Sequence, residues 1–203
     1  MTDSSPSLLK PASTLIETCI RDSAATLVRL LDGSHVESIE RAAGMITASM
    51  RDGGKLLVFG NGGSAADATH IAAEFLGRFL LEREALPALS LSDNSSTLTA
   101  IGNDYSYEDV FSRQVAGLGV AGDVALAIST SGNSANVLAG VQAARQRGMR
   151  TIALTGGTGG ELAAQCDIAL IVPDDRTPRI QEGHILVAHI LCEIVERELA
   201  ASA

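Results

Sequence analysis

Aromatic residues are scarce in this chain of 203 residues, which has no tryptophan, two tyrosines and four phenylalanines. Proteins that bind unpaired nucleic-acid bases usually stack them on aromatic rings, and this composition offers little for such a platform. Positive charge is also in short supply, with 15 Lys and Arg against 24 Asp and Glu and a formal net charge of -9. A nucleic-acid binder that relies on electrostatics carries a basic face or run, and the sequence shows neither. A nucleic acid is therefore not expected as a partner.

Cysteine is too rare and too scattered for a disulfide framework. The three cysteines, Cys19, Cys166 and Cys192, lie far apart in apolar surroundings, and no Cys-x-x-Cys pair occurs. This pattern is typical of reduced thiols in a cytosolic protein. No apolar run approaches the roughly 20 residues needed to span a bilayer, and the N-terminus has no basic patch followed by an apolar segment. We therefore expect a cytoplasmic protein that does not associate with a membrane.

Small aliphatic residues dominate instead. Hydrophobic residues account for 46% of the sequence, which is enough to build one sizeable core without disulfides or metals. Helical or turn-rich segments separate five short apolar runs, at residues 56–59, 88–91, 124–128, 151–154 and 168–172. Alternation of this kind implies crossover connections between parallel strands. The predicted fold class is α/β, a three-layer α/β/α sandwich around a five-stranded, mostly parallel sheet.

Two helices are predicted ahead of the first strand, at 14–31 and from Ser34 to about Arg51. Ser34 and Glu37 have the spacing of a capping box, in which the serine caps the second helix. The two helices would form an N-terminal hairpin, so the chain divides into an extension at 1–52 and an α/β domain at 53–203. The last segment, from Ile180 to about 200, is apolar nearly all round, which predicts a helix buried against helices of the same or a neighbouring subunit. We therefore expect a homo-oligomer.

The most informative stretch is a hydroxyl-rich turn after the third strand, Ile128-Ser129-Thr130-Ser131-Gly132-Asn133-Ser134. A helix is predicted from Ala135, and the start of a helix offers unpaired N–H groups and the positive end of a dipole. The hydroxyls add donors that carry no charge, so this turn has the chemistry of a phosphate cradle. The alternative is an ordinary strand-to-helix turn with Ser134 as N-cap, because Ser, Thr, Gly and Asn are also common cap and turn residues.

Two other predicted strands also end in small residues, in the segments Gly60-Asn61-Gly62-Gly63-Ser64 and Thr155-Gly156-Gly157. Ligands of parallel sheets bind beyond the carboxyl ends of the strands, so three such loops at one edge indicate a ligand site. The first loop does not complete Gly-x-Gly-x-x-Gly, and no nucleotide cofactor is expected. Asp67 would lie in the first turn of the following helix, where the dipole favours a carboxylate.

Ionisable side chains occur in two predicted helices that begin near this edge. His70 and Glu74 are four residues apart, which places them on one helix face, although such a pair is more often a surface ion pair. In the last helix, Gln181 has an amide that can bind substrate hydroxyls or a metal, or it can be an ordinary first-turn residue. His184 and His189 lie to either side of Gln181, and a helical step of about 100° per residue does not choose between them.

Taken together, these motifs resemble the sugar isomerase (SIS) family. The likeness runs from about Gly54 to Val195 and rests on the glycine loop with His70 and Glu74, the hydroxyl-rich turn, and the segment from Arg179 to His189. The resemblance implies a five-stranded α/β/α sandwich, a homotetramer bundled through its helices, and active sites at subunit interfaces. It also implies an aldose-ketose isomerase that works through an enediol, here on a phosphorylated seven-carbon sugar destined for lipopolysaccharide or another surface glycan.

The resemblance further assigns roles to individual residues. The acid/base pair is Glu74 and His189, which favours His189 over the other late histidine. Substrate and phosphate binding are assigned to Ser64, Asp104, Ser129, Thr130, Ser131, Ser134 and Gln181. Several members bind zinc at matching positions, so Zn2+ is expected here at His70, Glu74, Gln181 and His189.

Two alternatives share the same family likeness. One is a non-catalytic tetrameric SIS scaffold that binds a replication-initiator protein. In such scaffolds, groups unable to transfer protons replace the residues matching Glu74 and His189, whereas this chain has both. The other is an isomerase of another phosphosugar, such as arabinose 5-phosphate. Relatives of that type often carry regulatory domains after the SIS domain, for which we expect no room in 203 residues.

Overall fold

The computed structural model describes residues 11–201, so the first ten residues of the predicted extension lie outside the described part. The helices and strands follow one another as α1 (Ala12–Arg29), α2 (Gly33–Arg51), β1 (Leu56–Gly60), α3 (Gly63–Leu76), β2 (Ala88–Ser90), α4 (Ser95–Asp104), a 3-10 turn (Tyr107–Asp109), α5 (Ser112–Leu118), β3 (Val124–Ser129), α6 (Ala135–Gln146), β4 (Arg150–Gly156), α7 (Gly160–Gln165), β5 (Ile168–Val172) and α8 (Thr177–Ala200).

The five strands form one sheet in the order β2-β1-β3-β4-β5. Every pairing in it is parallel, and the predicted α/β/α sandwich is confirmed. The chain moves from β1 to β2 on one side and then to β3 on the other, so the connections diverge between β1 and β3. This divergence is where open α/β sheets bind ligands. Gly60 stands opposite Ile128 in the register, which places the glycine loop beside the hydroxyl-rich turn.

Alternate residues of each strand face two different helical layers. In β1, Leu56 and Val58 belong to one buried cluster, while Leu57 and Phe59 belong to the other. Helices α2, α3 and α8 close the first cluster, and α5, α6 and α7 close the second. Burial on both faces is the physical reason that these strands are continuous apolar runs in the sequence.

The start of α2 differs from the prediction. Asp32 is its N-cap, and the Asp32 carboxylate accepts hydrogen bonds from the N–H of Ser34 at 3.1 Å and from the Ser34 hydroxyl at 2.8 Å. The predicted capping box of Ser34 and Glu37 is therefore wrong. The carboxylate two residues earlier is already placed to take the free N–H, so the helix begins at Gly33.

The N-terminal helices pack on the last helix and on the loop before it. The hydroxyl of Thr26 donates to the carboxylate of Asp174 at 2.6 Å. Arg29 donates to the Asp174 carboxylate at 3.0 Å and to the carbonyl of Pro173 at 2.7 Å. Hydrogen bonds from Arg176 and Thr26 hold the pKa of Asp174 well below its usual range. The division into 1–52 and 53–203 stays a prediction, because α2 and α8 contribute to one shared core.

Helix α8 is 24 residues long and apolar on more than one face. Val187, Leu191 and Val195 are buried in the core, whereas Leu186 keeps 36% of its surface exposed. Leu186 instead faces an apolar groove shared with α1 and α2. Within residues 11–201, no helix combines the length and the apolar character that crossing a membrane requires.

Candidate active site

The hydroxyl-rich turn joins the end of β3 to the start of α6. Ser134 is the N-cap residue of α6, but its side chain makes no capping hydrogen bond. Its Oγ lies 3.0 Å from the Oγ of Ser129 instead. The ordinary-cap alternative therefore lacks its defining hydrogen bond, and the first N–H groups of α6 have no side-chain cap. Thr130 is half-buried and Ser131 is exposed, so the turn presents hydroxyls beside a helix start.

Glycines allow this turn to pack directly on the loop after β4. Gly132 has a φ of +67°, and a Cβ there would lie 2.0 Å from the carbonyl oxygen of Gly159. Gly160 makes the reciprocal approach, since a Cβ on it would lie 2.5 Å from the carbonyl oxygen of Ser131. The N–H of Leu162 donates to the Gly132 carbonyl at 2.9 Å. Only glycine fits at such positions, so the shape of the turn depends on both loops.

Amide hydrogen bonds connect the glycine loop after β1 to the start of α6. Asn61 and Asn136 exchange two side-chain hydrogen bonds of 2.8 Å each, and the Tyr107 hydroxyl donates to Asn61 at 3.1 Å. Neither Asn136 nor Tyr107 is among the predicted site residues. Asn136 could have been found from the sequence, because an amide in the first turn of a core helix is expected to be buried and a buried amide needs a hydrogen-bond partner. Tyr107 gave none.

Ser64 and Gln181 both lie close to the start of α3. Ser64 is buried, and its Cβ would be 2.8 Å from a Cβ placed on Gly60. A Cβ on Gly63 would lie 2.3 Å from Nε2 of Gln181, so the missing side chain makes room for that amide. Helices α3 and α8 each follow a strand of one parallel sheet, and both therefore begin at its carboxyl edge and run the same way.

Further along these two helices, three ionisable side chains meet. Nε2 of His70 lies 2.9 Å from Nε2 of His189 and 3.4 Å from Oε1 of Glu74. The two imidazole rings are edge-on, and the ring of Phe79 stacks on that of His189 with centroids 5.5 Å apart. Because His70 contacts both groups, a carboxylate from α3 and an imidazole from α8 belong to one cluster.

Asp67 lies beside this cluster and does not cap the helix. It was expected in the first turn of α3, but the helix begins at Gly63 and has no acidic residue in its first turn. That expectation is wrong by one turn. Its Oδ2 is buried without a hydrogen-bond partner among residues 11–201. Burial raises the pKa of Asp67, against a smaller opposing effect of His70.

Asp104 stands apart from the other predicted site residues. It is the last residue of α4 and is exposed. Its carboxylate accepts a hydrogen bond of 2.9 Å from the neighbouring Asn103. In the described part of the chain it has no hydrogen bond to another predicted site residue, so its assignment to substrate stays a prediction.

His184, the other late histidine, is part of the core. It is fully buried, and neither ring nitrogen has a hydrogen-bond partner in the described residues. Burial lowers its pKa to about 4. His184 is therefore neutral near pH 7 and separate from the cluster of His70 and His189.

This burial should make the protein sensitive to acid through His184. The pKa is about 4 in the folded chain against an ordinary 6.5, so the unfolded chain binds the proton more readily. The contribution of neutral His184 to stability is then fully present above pH 6.5 and is lost as the pH falls toward 4. The loss amounts to about 3 kcal/mol in the free energy of unfolding. Urea denaturation from pH 7 to pH 4 should show a smaller loss for His184→Leu, and equal losses would contradict the assignment.

The donor atoms of the cluster are of the kinds that zinc accepts. The 2.9 Å and 3.4 Å separations from Nε2 of His70 are both shorter than twice a Zn–N bond of about 2.1 Å, so one ion could contact either pair. Within residues 11–201, however, Glu74 and His189 are joined through His70 alone, and the amide of Gln181 lies against Gly63. No three His, Cys, Asp or Glu side chains within 11–201 stand ready to hold a metal. The residues fit zinc in kind, and their side chains would have to rearrange to close around it.

The hydroxyl-rich turn lies where the strands of the parallel sheet diverge, and the histidine and glutamate cluster lies on two helices that begin at the same sheet edge. These features characterise an α/β protein with a candidate phosphate site. The chain belongs to the SIS domain family, whose sequence profile matches residues 20–156. The expected family resemblance is thereby confirmed.

Four similar proteins that match most of the chain are phosphoheptose isomerases. A phosphoheptose isomerase from Rhodospirillum rubrum is 54% identical over 169 residues, which are 83% of this chain and 90% of the relative. One from Pelobacter propionicus is 58% identical over 159 residues, or 78% and 84% of the two chains. The solved phosphoheptose isomerase of Francisella tularensis matches 93% of this chain and 100% of its own, at 38% identity and a TM-score of 0.89. That of Neisseria gonorrhoeae matches 92% and 97%, at 46% identity and a TM-score of 0.81.

Proposed function

We propose that this protein is an aldose-ketose isomerase that converts D-sedoheptulose 7-phosphate into D-glycero-D-manno-heptose 7-phosphate. This is the first step in making heptose for lipopolysaccharide or another surface glycan. The relatives that are 54% and 58% identical, both named phosphoheptose isomerase, support the choice of reaction. The observation that carries the proposal is the contact of His189 with His70 beside Glu74.

The reaction needs two groups that can exchange protons with neighbouring carbon and oxygen atoms. A base removes a proton from C1 of the ketose while the C2 carbonyl oxygen gains one, which gives an enediol. Loss of the proton on O1 and protonation of C2 then give the aldose, with no net uptake of protons. We assign these transfers to Glu74 and His189. General acid-base catalysis of this kind contributes about 10²- to 10⁴-fold.

The phosphate is proposed to bind at the hydroxyl-rich turn. The hydroxyl of Ser134 is not used as a helix cap, and it lies beside the hydroxyl of Ser129. These donors and the uncapped N–H groups of α6 can all point to an oxyanion. The phosphate ligands are then Ser129, Thr130, Ser131 and Ser134. The sugar hydroxyls are assigned to Ser64, Asp104 and Gln181.

Zn2+ is the proposed metal cofactor, held by His70, Glu74 and His189 with Gln181 as the fourth donor. When bound, it would polarise the substrate carbonyl and stabilise the negative charge of the enediolate. The protein itself places an imidazole and a carboxylate from α3 next to an imidazole from α8. A carboxylate or imidazole nitrogen that is bound to zinc is a poorer base, so metal binding and proton transfer would compete for Glu74 and His189.

A homotetramer is the proposed assembly. Ile16 and Ile20 of α1 are 59% and 65% exposed, and Leu31 is 75% exposed. Isoleucines spaced by four residues lie on one helix face, and exposed apolar patches mark protein interfaces. The groove at Leu31 has a volume of about 430 Å³ and is lined mainly by Leu27, Leu30, Leu31, Val36, Ile39, Leu186, Ile190 and Ile194. We propose that other copies of this chain cover these exposed residues and this groove.

A cytoplasmic location is proposed from the cysteines and from the substrate. Cys19, Cys166 and Cys192 are all unpaired in the structure. Unpaired thiols suit a reducing compartment, which is also where sugar phosphates are metabolised.

Incubation of the purified protein with sedoheptulose 7-phosphate tests the function directly. We expect NMR to detect the aldose product, with kcat/KM at least about tenfold lower for arabinose 5-phosphate. Turnover of arabinose 5-phosphate alone would favour the other phosphosugar isomerase, and no turnover of either sugar would favour a scaffold. A chelator series followed by added Zn2+ reports on the metal. Sedimentation of the same sample distinguishes a tetramer from a single 21.0 kDa chain.

A further inference from the structure

We propose that Glu196 and Arg83 act as a positioning pair for the active site, through the segment that follows α3. Together they hold Phe79 against His189 and fix the end of the helix that carries Glu74. Neither residue touches the reacting atoms. The proposal rests on the proposed function for its kinetic consequences, but its geometry can be measured independently.

Glu196 organises the segment after α3 by accepting hydrogen bonds from its backbone. The carboxylate is only 1% exposed and accepts from the N–H groups of Phe79, Leu80 and Leu81, at 3.0, 2.8 and 2.6 Å. Nε of Arg83 completes the set at 2.9 Å. A buried carboxylate must have partners of this kind, so the segment can pass Glu196 in few other conformations.

Arg83 uses its remaining donors on the end of α3. Its Nη1 donates to the carbonyls of Phe75 at 2.9 Å and Glu84 at 3.0 Å, and its Nη2 donates to the carbonyl of Glu74 at 2.9 Å. The last carbonyls of a helix have no partner within the helix. Arg83 therefore satisfies the end of α3 and fixes the backbone that carries the catalytic carboxylate of Glu74.

Phe79 connects the segment held by Glu196 to the imidazole of His189. Its N–H is held by Glu196, and its ring stacks on His189 with centroids 5.5 Å apart and planes at 28°. Glu196 and His189 are seven residues apart on α8, two turns on one face. One face of α8 thus carries both the reacting imidazole and the carboxylate that anchors the ring packed against it. Nε2 of His189 remains directed to His70 at 2.9 Å.

The chemistry of the pair favours positioning over simple stabilisation. Burying an ion pair is costly, and apolar replacements of similar volume are often neutral or stabilising. Such replacements could fill the space, but they could not accept three backbone N–H groups or cap the carbonyls of α3. The pair is thus suited to specify one conformation of residues 77–84. Arg197 and Glu193 form an ion pair on the same helix that is largely exposed, and no such conformation depends on it.

Three variants separate positioning from stability. Phe79→Leu keeps an apolar side chain but removes the ring, and Phe79→Tyr keeps the ring. We expect kcat to fall about tenfold or more in Phe79→Leu and in Glu196→Gln, since small misplacements of catalytic groups are costly. The KM for sedoheptulose 7-phosphate should stay within about twofold, because uniform binding is untouched. Phe79→Tyr should keep the wild-type kcat.

Val141→Ala is the matched control for stability, because Val141 is buried in the opposite helical layer. It should lower the free energy of unfolding by about 1–2 kcal/mol without changing kcat. If it lowers kcat as much as Phe79→Leu does, or if folded Phe79→Leu keeps the wild-type kcat, the proposal is overturned. Should Glu196→Gln fail to fold, the two Phe79 variants still decide.

NMR of the histidine rings tests the positioning even if the protein proves inactive on the heptulose phosphate. The His189 signal can be assigned by its loss in His189→Gln. A stacked aromatic ring shields its neighbour, so the His189 ring protons should move downfield in Phe79→Leu and stay in place in Phe79→Tyr at the same pH. An unchanged His189 signal in Phe79→Leu would overturn the positioning role. An inactive wild type would instead refute the proposed function alone.

Discussion

Replacing Glu74 with glutamine should lower kcat on sedoheptulose 7-phosphate by about 10³-fold. The substitution keeps the size of the side chain and removes its ability to take a proton. Its backbone carbonyl, which accepts from Arg83, is unchanged, so the end of α3 should stay in place. The KM should change far less than kcat, because the phosphate is held elsewhere. Steady-state kinetics with product detection by NMR measure both constants.

Glu193→Gln supplies the matched control for this result. Glu193 lies on α8, is 40% exposed and pairs with Arg197, outside the cluster. Exposed pairs of this kind contribute at most about 1 kcal/mol, so activity and stability should remain close to wild type. Full turnover by Glu74→Gln would refute the acid/base role. A fall of similar size in Glu193→Gln would mean that loss of any helical carboxylate is harmful.

Gly132→Ala should be the most damaging single substitution in the hydroxyl-rich turn. The new Cβ would lie 2.0 Å from the carbonyl oxygen of Gly159, and this neighbour is backbone, so a whole loop must move. The left-handed φ of +67° adds strain of about 1–2 kcal/mol. We expect a loss of about 4 kcal/mol or more in the free energy of unfolding. The protein that remains folded should show a KM raised by about 100-fold, since a displaced turn loses some 2–3 kcal/mol of phosphate binding.

Gly53→Ala separates strain from collision. Gly53 also has a left-handed φ, of +81°, but nothing lies within 4 Å of a Cβ placed there. Its cost should therefore be only the strain of about 1–2 kcal/mol, with KM unchanged. Denaturant unfolding and steady-state kinetics of the two variants give the comparison. Equal losses in both would show that the contact with Gly159 contributes nothing.

The sheet could be predicted from the sequence because its strands are buried on both faces. A run such as Leu56 to Phe59 needs no partner to be recognised as a strand. Residues 95–118 were harder, and the helices α4 and α5 were not predicted. Helix α4 has no buried residue, so it lacks the apolar period by which a helix is recognised. The cap of α2 was misassigned because two residues could supply the oxygen, and spacing alone favoured the wrong one.

The site was only partly accessible for a different reason. Local motifs identify groups that can do chemistry, but their meeting depends on contacts between distant segments. His184 and His189 are equivalent by helical angle, and only packing buries the first in the core and places the second against His70. Arg83 and Glu196 are separated by 113 residues. No local sequence pattern near either residue predicts that the two will pair.

The side chains of the hydroxyl-rich turn carry no formal charge. In the proposed function, Ser129 and Ser134 would offer hydroxyls to the phosphate ester, and the start of α6 would add only partial positive charge. Without an ion pair in the turn, the attraction between the turn and a phosphate group would be short-ranged. Ketose and aldose bear the same phosphate group, so tighter phosphate binding would strengthen substrate binding and slow product release to the same extent. A neutral hold of this kind suits a catalyst that must work in both directions and let go each time.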